Sequence, residues 1–222
     1  MTNGEGSDFS FSRIQDFDDH IAREIRGYDI LDELIFGIAN AVIQDKTRVY
    51  DIGCSTGRFI NQLAAELDKE KDPSRRRHVA ITGIEPNANM VADFTPVLPN
   101  VAIRQEAVTA ETDFTDASLI TSVFTLQFVP ANMRPAILRN IYDSLHENGA
   151  FIWAEKVHAS DGRVESLLHA MHTSFKRAGS SPENILDKDE RLRAIMHPMV
   201  QADNERLLQQ AGFTRYETIW RV

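Results

Sequence analysis

"RVYDIGCSTGRF" spans residues 48–59. Its first half is a short apolar run, Val49, Tyr50 and Ile52, broken only by Asp51. Its second half sets Gly53 and Gly57 around Cys54, Ser55 and Thr56. β-branched and aromatic residues favour an extended strand. Glycines in the following turn remove side chains that would block a ligand from the backbone. "RFINQLAAELDKE" (58–70) then places Phe59, Leu63, Ala64 and Leu67 at helical spacing. The stretch reads as strand, glycine turn, helix, with the free N–H groups of the helix start facing the turn.

The same rhythm extends outward. "HVAITGIEP" (78–86), "NVAIRQEAV" (100–108), "ASLITSVFTLQFV" (117–129) and "AFIWAEKV" (150–157) read as further strands. Between them lie "NANMVADFTPVL", a helix that Pro96 ends, and "NMRPAILRNIYDSLHENG" (132–149), a helix closed by Gly149. Strands alternating with helical segments imply βαβ units, right-handed crossovers and a doubly wound, Rossmann-like, mostly parallel α/β sheet. Upstream, residues 14–45 carry helical spacing from Ile14, Phe17, Ile21 and Ile25 to Ile38 and Val42, interrupted at Gly27. Two helices meeting near "RGYD" are expected there. Residues 1–8 read as a disordered tail, leaving 9–222 as one domain. Residues 160–210 are expected to form a helical cap over the strand ends, and "TRYETIWRV" a last strand.

Composition narrows the function. The chain of 222 residues has a formal net charge of −9, against the basic balance of most phosphate-backbone binders. The "RRR" cluster at 75–77 reads as a solvated loop. A small-molecule substrate is favoured, with no direct nucleic-acid contact. The longest apolar run, "LIFGIANAVI" at 34–43, falls short of the ~18 residues that span a bilayer, so no membrane association is expected. No signal peptide is seen at the N-terminus. One cysteine, Cys54, makes no internal disulfide, which fits a reducing cytoplasm.

The turn also narrows the ligand. The dinucleotide fingerprint G-x-G-x-x-G, which seats a pyrophosphate, is absent. In its place is D-x-G-x-x-x-G. Asp51 there would repel a pyrophosphate and attract an ammonium. Glu85, at the end of the second strand in "GIEPN", can accept both hydroxyls of a ribose. Acids on both sides of a glycine turn suit a ligand with an ammonium, a sulfonium and a ribose, and no phosphate.

At these residues the chain resembles the class I S-adenosylmethionine-dependent methyltransferases. "VYDIGCSTG" looks like their first motif and "GIEPNANM" like their second. Within that superfamily, "FTLQFVP" (124–130), "AILRNIYDSLHENGAFIWAEK" (136–156), "MHTSFKRAG" (171–179) and "LLQQAGF" (207–213) resemble the carboxy-S-adenosyl-methionine synthases. The resemblance covers roughly residues 28–220. It implies S-adenosylmethionine as cofactor, held by Asp51, Gly53, Cys54, Ser55, Gly57, Glu85, Pro86, Ala107 and Phe124. It also implies a homodimer. The family's reaction turns S-adenosylmethionine and prephenate into a carboxylated sulfonium and phenylpyruvate, and a partner enzyme uses the product on a tRNA wobble uridine.

Two residues depart from the family pattern. Where the family clamps the extra carboxylate with arginine, this chain has Asp189, beside Lys188. An acid repels a carboxylate that an arginine grips in bidentate fashion. Arg191 and Arg193 lie close enough to substitute after a short shift. The third strand ends in "EAV", so Ala107 and Val108 offer only backbone groups where the family prefers an acid near the adenine. The leading expectation is therefore methyl transfer to a small acceptor, anionic acceptors included. Carboxy-S-adenosylmethionine synthesis is the close alternative. A non-catalytic cofactor-binding subunit of a tRNA-modifying complex is a third. No catalytic base is assigned, because an anionic acceptor needs none.

Other residues stay open. Tyr28 closes over the ligand or packs in the core. Lys176 and Arg177 bind a carboxylate substrate or cap their helix. Gln127 follows the fourth strand, where the transferred group is expected, and Phe124 and Phe128 pack the pocket. Glu165, His169 and His172 share one helix face, which reads as ordinary polar contacts rather than a metal site. Cys54 reads as a packing residue, not a nucleophile. Finally, class I sheets usually end in a hairpin. With "TRYETIWRV" stopping at Val222, a longer natural product or a covering subunit is expected.

Overall fold

The computed structural model describes residues 24–177 and 179–222. The expected tail at 1–8 and the helix bearing Ile14, Phe17 and Ile21 lie outside the described residues. Helix α1 (Tyr28–Val42) follows Gly27, whose φ of 72° starts it from the left-handed region. Then come β1 (Arg48–Ile52), α2 (Arg58–Asp68), β2 (Ala80–Ile84), the short α3 (Ala88–Ala92), β3 (Val101–Arg104) and β4 (Ala117–Val123). A 3-10 turn, Leu126–Phe128, leads to α4 (Arg134–Ser144) and β5 (Leu145–Ala154). The remainder is β6 (Val157–His158), α5 (Gly162–Lys176), α6 (Pro182–Ile195), β7 (Met199–Val200) and α7 (Gln201–Ala211).

The five long strands form one sheet in the order β3-β2-β1-β4-β5, every pairing parallel. The order reverses between β1 and β4, so the crevice outside their carboxyl ends is where this architecture binds ligands. Both faces of the sheet are covered, which is why its strands read as nearly continuous apolar runs. Val49, Ile81 and Leu119 pack on one face with Ile60, Leu63 and Ala64 of α2 and Ala39 of α1. Tyr50, Ile52, Ile84 and Ile120 pack on the other with Ile137, Leu138 and Ile141 of α4.

Three expectations change. Helix α4 ends at Ser144, not Gly149, because β5 already pairs with β4 at Ala117↔Leu145. The register then jumps to Leu119↔Ala150 through a bulge in which Asn148 takes φ 64°. Gly149 lets the two strands approach: a Cβ there would lie 3.0 Å from the Ser118 carbonyl. Helix α7 packs mainly against α4, with Tyr142 edge-on to Phe213, and only its Gln201, Asn204, Glu205 and Leu208 edge lines the crevice at the strand ends. Third, residues 214–222 form no strand. They run as irregular chain beside the carboxyl ends of the sheet, where Trp220 meets Phe124 edge-on at 6.4 Å. Among the described residues, no helix is long and apolar enough to cross a membrane.

Candidate functional site

The crevice outside β1, β2 and β4 opens into a cavity of about 1670 Å³, walled on its far side by α5, α6 and the residues after α7. Its cofactor half is built from the β1–α2 turn. Gly53 has φ 72°, and a Cβ on it would sit 2.2 Å from the Thr125 side chain. Its N–H donates to the Ile84 carbonyl at 2.8 Å, pinning the turn to β2. Gly57 caps α2 with φ 77°.

Asp51 is buried at the end of β1. Its Oδ1 accepts a 2.6 Å hydrogen bond from Thr121 Oγ1 on β4. Burial pushes its carboxyl up to about 7; the Thr121 bond and the Arg58 charge pull it down, and Glu85 pushes it further up. A carboxylate so short of positive partners is a receptor for a cation. Glu85 holds the turn from the other side. Its Oε2 accepts from the Ser55 N–H at 3.0 Å and its Oε1 from the Asn87 N–H at 2.9 Å. Burial raises its carboxyl, and these two backbone bonds oppose the rise. Each oxygen keeps a second lone pair for a ligand hydroxyl. An ammonium at Asp51 and a ribose at Glu85 therefore fit the residues present.

Cys54 sits over Gly83, where a Cβ would lie 2.3 Å from its Sγ. Burial and the nearby carboxylates of Asp51 and Glu85 push its thiol up, leaving a packing group. Ser55 takes φ 53° and its Oγ lies 3.3 Å from Met90 Sδ. Pro86 and Ala107 line the cavity. Phe124 takes the left-handed φ of 54° while its N–H donates to the Ala154 carbonyl at 2.7 Å, which turns its ring into the cavity. Such strain in a non-glycine residue persists only where its surroundings enforce it. Gly57 is a correction. It does not line the cavity, and a Cβ there would meet the Phe94 ring at 2.5 Å, so its role is packing.

The acceptor half differs from its sequence reading. Lys176 is buried, with Nζ 3.5 Å from Asp189 Oδ1 and 3.7 Å from Glu24 Oε2. Lys188 Nζ reaches Glu24 at 3.0 Å. Arg193 lines the cavity. Arg191 does not: it pairs with Asp187 one turn earlier on α6, its Nη2 3.0 Å from Oδ2. Arg177 is exposed and also outside the cavity wall, since α5 turns it away at the helix end. Gln127 is buried and uses both ends of its amide internally. Its Nε2 donates to the Phe124 carbonyl and its Oε1 accepts from the Lys156 N–H at 2.9 Å. Tyr28 lies on the cavity wall with its hydroxyl 3.4 Å from Arg58 Nη2.

Glu165, His169 and His172 do not converge. Glu165 accepts from the Ala159 N–H at 2.7 Å and pairs with His158, while His169 Nε2 lies 3.7 Å from Asp189. Among the described residues no group of three such side chains is arranged to hold a metal. Burial and the Lys176 and Lys156 charges push His172 down to about 4.

Sequence reading missed four features. Thr121 orients Asp51 from a strand seventy residues away. Arg58 bonds Asp32 at 3.0 Å and stacks on Tyr28, fastening α1 over the turn. Arg134, fully buried, donates to the carbonyls of Val129, Gln127 and His197, joining the 3-10 turn to the chain after α6. Glu155 bonds Trp153 Nε1 at 2.7 Å, and burial pushes it up to about 7. The pair of charges in "FIWAEK", straight after a buried strand, was the available signal for Glu155 and Lys156.

Residues 50–151 match the family model described as "Methyltransferase domain". The cyclopropane synthase MmaA2 from Mycobacterium tuberculosis has a similar fold, at TM-score 0.58 and 13% identity over 82% of this chain and 60% of that one. A putative O-methyltransferase from Nostoc punctiforme matches at TM-score 0.57 and 19% identity, over 84% of this chain and 50% of that one. The fold is of the class I methyltransferase type, and the matched domain together with the curated relatives defines an S-adenosylmethionine-dependent transferase. Among curated proteins, the carboxy-S-adenosyl-L-methionine synthase of Idiomarina loihiensis is 30% identical over 96% of this chain and 88% of its own length. That of Staphylococcus epidermidis is 29% identical over 91% of this chain and 86% of its own. The chain belongs to the carboxy-S-adenosyl-L-methionine synthase family.

Proposed function

We propose that this member of the family transfers a methyl group from S-adenosylmethionine to a small acceptor. The observation that carries the reading is Asp189. It stands where the family resemblance places a carboxylate-clamping arginine, and its carboxylate lies on the cavity wall, with Lys176 at 3.5 Å and His169 at 3.7 Å. That ion pair leaves a second carboxylate no bidentate partner at this point. When bound, S-adenosylmethionine supplies an electrophilic methyl carbon: the acceptor's electron pair forms the new bond, and the carbon–sulfur pair returns to sulfur, leaving S-adenosylhomocysteine.

The chain's own contribution is position and exclusion of water. Asp51 receives the ammonium, Glu85 the ribose hydroxyls, and Phe124 and Trp220 close the strand ends beside the acceptor. A small acceptor fits the net charge of −9, which favours neither nucleic acid nor an anionic membrane surface. The lone Cys54 fits a reducing cytoplasm. The exposed apolar stripe of Val164, Leu167, Leu168 and Met171 along α5 supports a homodimer.

A second reading, synthesis of carboxy-S-adenosylmethionine for tRNA modification, draws on relatives matching nearly the whole chain. It would need Arg193 as replacement clamp, since Arg191 points elsewhere. Incubation with S-adenosylmethionine and prephenate separates the two. No phenylpyruvate is expected; its appearance at an enzymatic rate overturns the methyl-transfer reading.

A further inference from the structure

The part of the acceptor wall formed by the end of β5, α5 and α6 holds four cationic side chains, Lys156, Lys176, Lys188 and Arg193, and they are not equivalent. Lys176 and Lys188 already face Glu24 and Asp189. Lys156 and Arg193 line the same cavity, and among the described residues neither has an ion pair or a side-chain hydrogen bond. The carboxylates around them are engaged elsewhere. Glu165 is held by His158 and the Ala159 N–H, Glu155 by Trp153, and Asp189 by Lys176 and His169.

Lys156 also sits at the strand ends that open into the cavity. It follows β5 by two residues, at the carboxyl edge of the sheet, next to the strand end that carries Phe124. Its backbone N–H is fixed to Gln127 Oε1 at 2.9 Å, and the Gln127 amide is fixed in turn to the Phe124 carbonyl. The lysine thus rides on the same hydrogen-bonded unit as Phe124, whose ring lines the cavity. The Lys156 and Arg193 side chains both remain solvent-exposed; partial desolvation and the Lys176 charge pull the Lys156 ammonium below the ordinary lysine range, and Arg193 acts in the same direction while Asp189 and Glu165 oppose it. In an acidic chain, two unpaired cations facing one cavity form a local field that a ligand anion would neutralise.

We propose that Lys156 and Arg193 seat the anionic group of the acceptor, and that the acceptor is a small molecule with an apolar body and one carboxylate-like group. Phe128, Phe175, Leu192 and Met196 line the cavity around this pair and suit the apolar body. The proposal rests on the methyl-transfer reading and moves anion recognition from the position of Asp189 to the end of β5.

The test is calorimetry on full-length protein saturated with S-adenosylhomocysteine. The probes are benzoate, phenylacetate and 3-phenylpropionate, each compared with its neutral amide. At least one acid binds, tighter than its amide by about tenfold, the step given by one charge-assisted contact. Lys156→Gln and Arg193→Gln each remove most of that preference, Lys156→Arg restores it, and Lys69→Gln on the far side of α2 leaves it unchanged. Equal binding of acids and amides, binding of neither, or an unaltered preference in Lys156→Gln overturns the proposal. The readout needs no turnover. Its failure with S-adenosylhomocysteine still bound removes the anion seat alone, whereas phenylpyruvate formed from prephenate removes the methyl-transfer reading and with it the acceptor assigned to that seat.

Discussion

The two halves of the cavity are built in opposite ways. The cofactor half is a single turn and the strand end beside it, with Asp51 and Glu85 buried and tied to Thr121, Ser55 and Asn87 by bonds of 2.6–3.0 Å. The acceptor half is assembled from α5, α6 and the end of β5, with longer ion pairs such as Lys176–Asp189 at 3.5 Å and cations facing open space. The first is a rigid receptor for one fixed ligand. The second is a wall whose charges can be rearranged by single substitutions, and the methyl-transfer proposal takes Asp189 as such a change. Cofactor and acceptor are held by different segments, so substitutions on one wall leave the other intact.

Breaking the join between the halves gives the largest effect. Arg134 ties the 3-10 turn to His197 with bonds of 2.6–3.3 Å to three carbonyls. Arg134→Met leaves those buried acceptors unpaired and lowers stability by about 3–5 kcal/mol in urea unfolding. Amides of 197–200 then exchange faster while those of β1 and β2 stay protected. Uniform loss of protection would show that the halves are one cooperative unit.

Within the cofactor half, Asp51→Asn removes the charge proposed to meet the ammonium. S-adenosylhomocysteine affinity falls by about 3 kcal/mol, measured by calorimetry. Glu85→Ala weakens it by ~1–3 kcal/mol, the range for hydrogen bonds to a charged group. NAD binds in neither the parent nor the variants. Tight NAD binding, or variants with parental affinity, would contradict the assignment of this half.

The pH response sharpens the same contrast. Asp51 and Glu155 are raised to about 7 in the folded chain. Between the ordinary carboxylate range and pH 7 the folded state binds more protons than the unfolded one. The ligand-free protein therefore loses stability as pH rises through that window and levels off above it. An ammonium requires ionised Asp51, so S-adenosylhomocysteine affinity falls by up to about tenfold per unit below pH 7. Asp51→Asn flattens that slope. A slope unchanged in the variant would assign it to Glu155 instead.

The same division decided what the sequence could reveal. The cofactor half is local: Asp51, Gly53 and Gly57 lie within one turn, and Glu85 ends the adjacent strand, so strand periodicity located them. Gly57 shows the limit, because a glycine required by the Phe94 ring looks the same in sequence as one required by a ligand. Thr121 and Arg134 act through partners seventy and sixty-three residues away, a distance no spacing rule reaches. "TRYETIWRV" alternates like a strand, but alternation reports burial on one side, and here Trp220 meets that demand by packing on Phe124 rather than by pairing. The Asn148–Gly149 pair looked like a helix end and is a bulge, since the competing force is the β4–β5 ladder.

The methyl-transfer proposal stands or falls on Asp189: its carboxylate repels a second carboxylate at the one point of the wall where the family resemblance places a clamping arginine. The direct measurement is the dissociation constants of S-adenosylmethionine and carboxy-S-adenosylmethionine on the same protein, repeated with Asp189→Arg. S-adenosylmethionine binds the parent tighter by about fivefold or more, within the range of a single partly exposed charge contact, and Asp189→Arg reverses the order. Tighter binding of the carboxylated sulfonium to the parent would contradict the account.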